Sequence, residues 1–225
     1  MLLFQKIRML YKTTNRLFRG IYQYKVVLVV PGAALFRSGD MDSTKEHLDK
    51  INISDATSKN TNQTPYYVTW KAGIKTQEDL DYAYKLHDQI KKLNNFDIRV
   101  ESPFISIYSN SEKDINTLAK IDESKVKYIS RPPINTTLAS STIVMPKMNY
   151  DYRITLGKTT HEHTSFITWA ESNQKVKLTK SCIRDLTKDR SWGGTHFYIT
   201  GDNNLLLAKM HLGSAINKVE RIVKA

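Results

Sequence analysis

The amino-acid sequence predicts an α+β protein, on three observations. Short apolar and aromatic runs with two-residue alternation are interleaved with stretches in which apolar residues recur every three to four positions, and over residues 66–130 they follow the order β-α-β-β-α-β. A second block, residues 152–223, repeats part of that order. The composition is that of a folded chain, with 225 residues, 40% hydrophobic, 25% charged and only 9 Gly and 6 Pro, and the length suits one large domain or two small ones.

The elements follow in chain order. Residues 1–21 carry Leu3, Ile7, Leu10, Leu17 and Ile21 at helical spacing among basic residues, which suits an amphipathic helix, an organellar transit peptide or a membrane-surface segment; the competing reading is a basic strand turning at Thr13-Thr14-Asn15. Tyr22, Tyr24, Val26, Leu28 and Val30 alternate, so residues 22–30 read as a strand that Pro31-Gly32 stops. A short helix over 42–51, capped by Asp42 or Ser43, precedes the Ser/Thr/Asn-rich loop 54–64. Residues 66–71 read as the next strand. Thr76 caps a helix over 76–93, with Asp79 at the capping-box position. Strands at 97–101 and 104–108 are separated by Pro103. A helix over 111–121 opens with Glu112 and Asp114, and a strand at 125–130 ends at Arg131-Pro-Pro133.

Over residues 66–130 this is the ferredoxin-like, or split βαβ, arrangement: four antiparallel strands with two helices on one face. In the C-terminal third, residues 152–156 read as a strand, 163–170 and 179–188 as helices and 196–200 as a strand. Asp202 then caps a helix over 203–212, Gly213 stops it, and 216–223 closes with a strand. Leu118-Ala-Lys-Ile121 matches Leu207-Ala-Lys-Met210, each before a final strand. The expected organisation is therefore a basic N-terminal segment, 1–64, a ferredoxin-like unit, 65–133, and a second, related α+β unit, 134–225.

Charge narrows the function. The chain holds 34 Lys and Arg against 22 Asp and Glu, a net of +12. Residues 1–39 contain seven basic residues and no acid, residues 40–150 balance, and residues 151–225 carry twelve basic against seven acidic, giving nets of +7, 0 and +5. Two cationic ends around a neutral middle point to a polyanionic partner. With no apolar run of about 18 residues a transmembrane helix is excluded, and the lone Cys182 forms no internal disulfide. Basic and apolar residues are interleaved at the N-terminus, so a secretory signal is not expected, and the sequons at Asn52, Asn62 and Asn135 read as chance matches.

No catalytic signature emerges. Tyr66, Tyr67 and Trp70, with Phe104 and Tyr108, fall on the two central strands of the expected sheet, where an RNA-recognition motif stacks bases, but the resemblance is of topology alone: residues 101–108 lack the glycines and leading basic residue of that motif. His161-Glu-His163 has no diagnostic metal spacing, since residues two apart face different sides of a helix. Leu156-Gly-Lys-Thr-Thr160 lacks the earlier glycine of a phosphate loop, where Tyr152 stands, and Asp202 in Thr200-Gly-Asp-Asn203 is read as a cap. Cys182 reads as a packing residue. Trp192-Gly-Gly194, after a basic run, reads either as a turn anchored by its indole or as a loop open to a phosphate or base.

The expected function is non-catalytic binding of RNA or single-stranded DNA, without cofactor or metal. Candidate contacts are Lys6, Arg8, Lys12, Arg16 and Arg19 at the N-terminus, Trp70 and Tyr108 on the sheet, and Lys175, Lys177, Lys180, Arg184, Arg190 and Trp192 near the C-terminus. The alternatives are a structural or assembly subunit with protein partners, in a viral complex among others, and a tandem ferredoxin-like ribonuclease working through His161 or His196. The expected location is the cytoplasm or a virion, with organellar import as the competing destination.

Overall fold

In the computed structural model, which describes residues 10–53, 73–134 and 136–224, the chain divides into two units, Met1–Thr137 and Leu138–Ala225. The first contains β1 (Tyr11–Thr13), β2 (Tyr24–Val29), α1 (Met41–Asp49), α2 (Gln77–Ile90), β3 (Phe96–Glu101), β4 (Phe104–Ser109), α3 (Glu112–Ala119) and β5 (Val126–Arg131). Its sheet has the order β1-β5-β2-β4-β3. β2 pairs antiparallel with β4 and β5, and β3 antiparallel with β4, while β1 runs parallel to β5 along the edge.

Alternation explains why β2 sits at the centre. Val26, Leu28 and Val30 form one face with Ile105, Ile107 and Ile129, packed on Leu86 and Ile90 of α2 and on Ile115 and Leu118 of α3. Burying each such side chain contributes about 1.5 to 3 kcal/mol. The central strand of this sheet is thus β2, which the sequence had placed in a separate segment 1–64. The expected strand at 66–71, with Trp70, lies outside the described residues. A hairpin turning at Thr13-Thr14-Asn15 is also corrected, because β1 joins the sheet beside β5 and not beside β2.

Local signals set the helix starts. Thr76 Oγ1 accepts the Asp79 N–H and Ser111 Oγ accepts the Asp114 N–H, each worth about 1 kcal/mol. The cap of α1 is Asp40, whose carboxylate accepts the N–H groups of Asp42 and Ser43; those two residues stand inside the helix and do not cap it.

The second unit contains β6 (Thr142–Val144), β7 (Tyr152–Leu156), α4 (Thr164–Glu171), β8 (Val176–Leu178), α5 (Lys180–Leu186), β9 (His196–Ile199), α6 (Asp202–Leu212) and β10 (Ile216–Val223). The order β6-β10-β7-β9-β8 corresponds place for place to the first sheet, with a short edge strand parallel to the last strand in each. Ile154, Leu156, Phe197 and Ile199 pack there on Phe166, Leu186, Ala208 and Leu212. The chain is accordingly a mixed α+β protein with two five-stranded sheets and six α-helices among the described residues.

Two expectations change here. Asp202 is no cap: Gly201 takes that position without a side-chain bond, and the Asp202 carboxylate accepts the Tyr152 hydroxyl. The Leu-Ala-Lys match is also not a positional equivalence. Both α3 and α6 begin three residues after the preceding strand, which sets Leu118 against Ala208; Leu118 is buried, whereas Leu207 is 40% exposed.

Candidate nucleic-acid interface

Side chains that alternate with the core residues form the sheet face away from the helices. In the first unit, strand register builds one cross-strand row from Lys12, Ser130, Lys25, Tyr108 and Asp97. The next row is Tyr128, Val27, Ser106 and Arg99, and a third holds Val29, Phe104 and Glu101. A bulge opposite Val27 and Leu28 leaves Lys127 out of the pairing, and its Nζ lies 3.7 Å from the Phe104 ring centroid.

Cations and rings interleave on this face. Lys12 Nζ stands 4.0 Å from the Tyr128 centroid and Lys25 Nζ 5.3 Å from it, and Lys25 also donates to Tyr128 Oη at 3.0 Å. The acids lie on the β3 side and have their own partners: Asp97 pairs with Arg19 at 2.5 Å and Glu101 with Arg99 at 2.5 Å. Among the described residues no carboxylate pairs with Lys12, Lys25 or Lys127. The β1-β5-β2 half of the face therefore keeps a positive field over half-buried rings.

Tyr108 is a correction. The chain between β1 and β2 crosses this face, and Phe18 and Tyr22 lie with centroids 5.7 and 6.3 Å from the Tyr108 ring, leaving that residue 6% exposed. It is a packing residue. Tyr128 is a half-buried ring of the face that the sequence reading, which took 125–130 only as the last strand, did not single out.

The other candidates scatter. Lys6 and Arg8 lie outside the described residues, as Trp70 does. Arg16 is exposed in the crossing segment, and Arg19 is committed to Asp97. Of these C-terminal cations only Lys177 lies on the sheet face away from the helices, opposite Tyr198; Lys175 precedes β8, Lys180 and Arg184 ride on α5, and Arg190 is on the following loop. Trp192 is 90% exposed, which removes the anchored-turn reading. A cleft of about 420 Å³ bordered by Tyr24, Arg131 and Pro132 offers no further cation, since Arg131 faces Glu112 at 3.5 Å.

The corresponding face of the second unit is chemically different. Register sets Arg153 where the first unit has Lys25, Tyr198 for Tyr108, Lys218 for Tyr128 and Glu220 for Ser130. Glu220 is fully buried and pairs with Lys218 at 2.7 Å and Arg153 at 3.6 Å. Met145, Met148 and Tyr150 pack over Ile143, Tyr198 and Ile222. This face is neutralised and partly covered.

The chemical motifs also resolve. The amide of Gly157 donates to Ala215 O at 2.7 Å and that of Thr159 to Ser191 O at 2.9 Å, so residues 157–160 do not present a free amide cradle. His161 lies against buried His163, with tilted rings whose centroids are 4.4 Å apart, and His196 Nδ1 faces Arg153 Nη2 at 3.3 Å; among the described contacts none joins His161 to His196. Among the described residues no group of three His, Cys, Asp or Glu could hold a metal ion, and no helix is long and apolar enough to cross a membrane. Burial, then Asp185, pushes the Cys182 thiol up to about 12, so it stays protonated and packs in the core.

Burial also lowers the His163 pKa, with His161 adding to the shift, and lowers that of His196, with Arg153 adding to it. Unfolded histidine binds its proton near pH 6.5, and these two accept it only at lower pH when folded. The second unit is thus expected to keep its full stability above about pH 6.5 and lose some as pH falls from there toward the lowered values. Urea midpoints measured at pH 7.5 and pH 5 check this, and His163→Gln should reduce the difference.

No family model, curated protein or solved structure matches the chain.

Proposed function

We propose that the chain is a non-catalytic single-stranded nucleic-acid-binding protein made of two related ferredoxin-like units, and that it holds RNA or single-stranded DNA on the open sheet face of the first. The single observation carrying this is the set of three lysines without acidic partners, Lys12, Lys25 and Lys127, interleaved with Tyr128 and Phe104. Lysines track phosphates and rings stack bases of any sequence, a combination that favours an unpaired strand over a duplex.

Titration of the chain against single-stranded and duplex RNA and DNA at several salt concentrations tests the reading. Salt-dependent binding that favours single strands is expected, and Tyr128→Ala should lose about 1 to 3 kcal/mol of it. Truncating buried Tyr108 should instead lower folding stability by about 3 to 5 kcal/mol and leave the folded fraction's affinity intact. Equal affinity for duplex and single strand, or no salt dependence, overturns the reading.

One observation favours an assembly subunit as a second reading. Leu206 and Met210 on α6 are 59% and 74% exposed, beside Leu207, an apolar strip of the kind that covers an interface. Sedimentation of the same samples distinguishes the readings, because this one requires a self-associated or partner-bound species.

A further inference from the structure

We propose that the loops carrying Lys158 and Trp192 in the second unit form a separate base-stacking site, which takes an unpaired nucleobase on the indole and its phosphate on Lys158. The inference rests on the reading of the chain as a single-strand binder, and it adds a contact carried by the second unit.

The argument begins with how the indole is held. Trp192 is 90% exposed, yet the backbone around it is pinned. Thr159 and Ser191 exchange hydrogen bonds of 2.9 and 3.2 Å, Gly194 N–H donates to Leu156 O at 2.8 Å, and Gly193 N–H donates to Ser191 Oγ at 3.2 Å. Gly193, at φ +75°, passes so close to the end of β7 that a Cβ there would stand 2.1 Å from Gly157 O. Only glycine fits. Burying the ring on its own unit would shed water, yet the pinned loop sets the indole in solvent.

A pinned backbone suits stacking, since the loop that carries the ring is already ordered and only the side-chain torsions remain to be fixed on binding. The second component is charge. Lys158 Nζ lies 5.4 Å from the indole centroid, and the approach to Trp192 carries exposed Lys188 and Arg190. An indole flanked by cations is complementary to a planar base joined to a phosphate, and less so to an apolar peptide side chain, which would leave the ammonium without a counter-charge.

The test uses the full chain and labelled six-nucleotide single strands of U and dT, followed by anisotropy. Trp192→Ala should weaken binding by about 5- to 150-fold, the range for one stacked base. Trp192→Tyr should retain most of the affinity and Trp192→Leu should not, with unchanged thermal unfolding in all three because the ring packs on nothing. Lys158→Gln should lower the salt slope by about 0.7. Normal binding by Trp192→Ala, or equal binding by the Tyr and Leu variants, overturns the site while leaving the sheet-face reading in place. A parent chain that binds no single strand overturns both. A Trp192→Ala variant that changes sedimentation but not oligonucleotide affinity shows a protein contact and overturns the site.

Discussion

Replacing Lys12, Lys25 and Lys127 together by Gln is expected to flatten the salt dependence of single-strand binding by about two units in the slope of log affinity against log salt. Each phosphate contact to a single strand contributes about 0.7 to that slope. None of the three lysines has a carboxylate partner among the described residues, so removing them breaks no ion pair and the fold should survive. A sharper variant copies the second unit onto the first. Ser130→Glu sets a carboxylate between Lys25 and Lys12, where Glu220 stands opposite Arg153 in the other sheet. It should neutralise the local field and weaken binding with no cation removed. If both variants keep the parent's affinity and slope, the first sheet face is not the binding surface.

The largest stability effect is expected from Glu220→Ala. Glu220 is fully buried, and its carboxylate is the partner of Arg153, which is itself largely buried with a side-chain exposure of 17%. Removing one member of a buried pair costs about 3 to 5 kcal/mol, because the other charge is left in a site it cannot leave. Lys218 is 45% exposed and can turn to water, which places the expected loss toward the lower end. Among the described residues no other acid pairs with Arg153, whose further contact is His196. The loss should appear as a lower urea midpoint for the second unit, and Arg153→Met in the same chain should recover part of it. An unchanged midpoint for Glu220→Ala would show that the pair carries no net stability.

Both variants depend on one difference between the sheets, Ser130 against Glu220, and nothing in the residues around either position announces it. Each lies on a strand whose period-two pattern reads the same. What the pattern did disclose was local: the strand at Tyr152–Leu156, the strand at Ile216–Val223, the Thr76 cap and the stop at Gly213. The short strands β6 and β8 were not legible because three residues carry too little alternation to register, and β1 stood only as one of two readings of the basic N-terminal segment. Their existence depends on a long neighbour whose edge they complete.

The sequence by itself determined the α+β class, the order of most elements and the two cationic ends, since periodicity, capping and charge are properties of neighbours along the chain. The tertiary structure decided the rest. It made β2 the central strand of the first sheet because Val26, Leu28 and Val30 complete the core under α2 and α3. It turned Tyr108 from a candidate platform into a packed ring by laying Phe18 and Tyr22 across it. It left three lysines of the first face uncompensated, gave the second face a buried carboxylate and held Trp192 in water. Each of these outcomes is a contact between residues remote along the chain or a constraint imposed by the folded backbone, and such interactions are specified by packing and register, which no local pattern encodes.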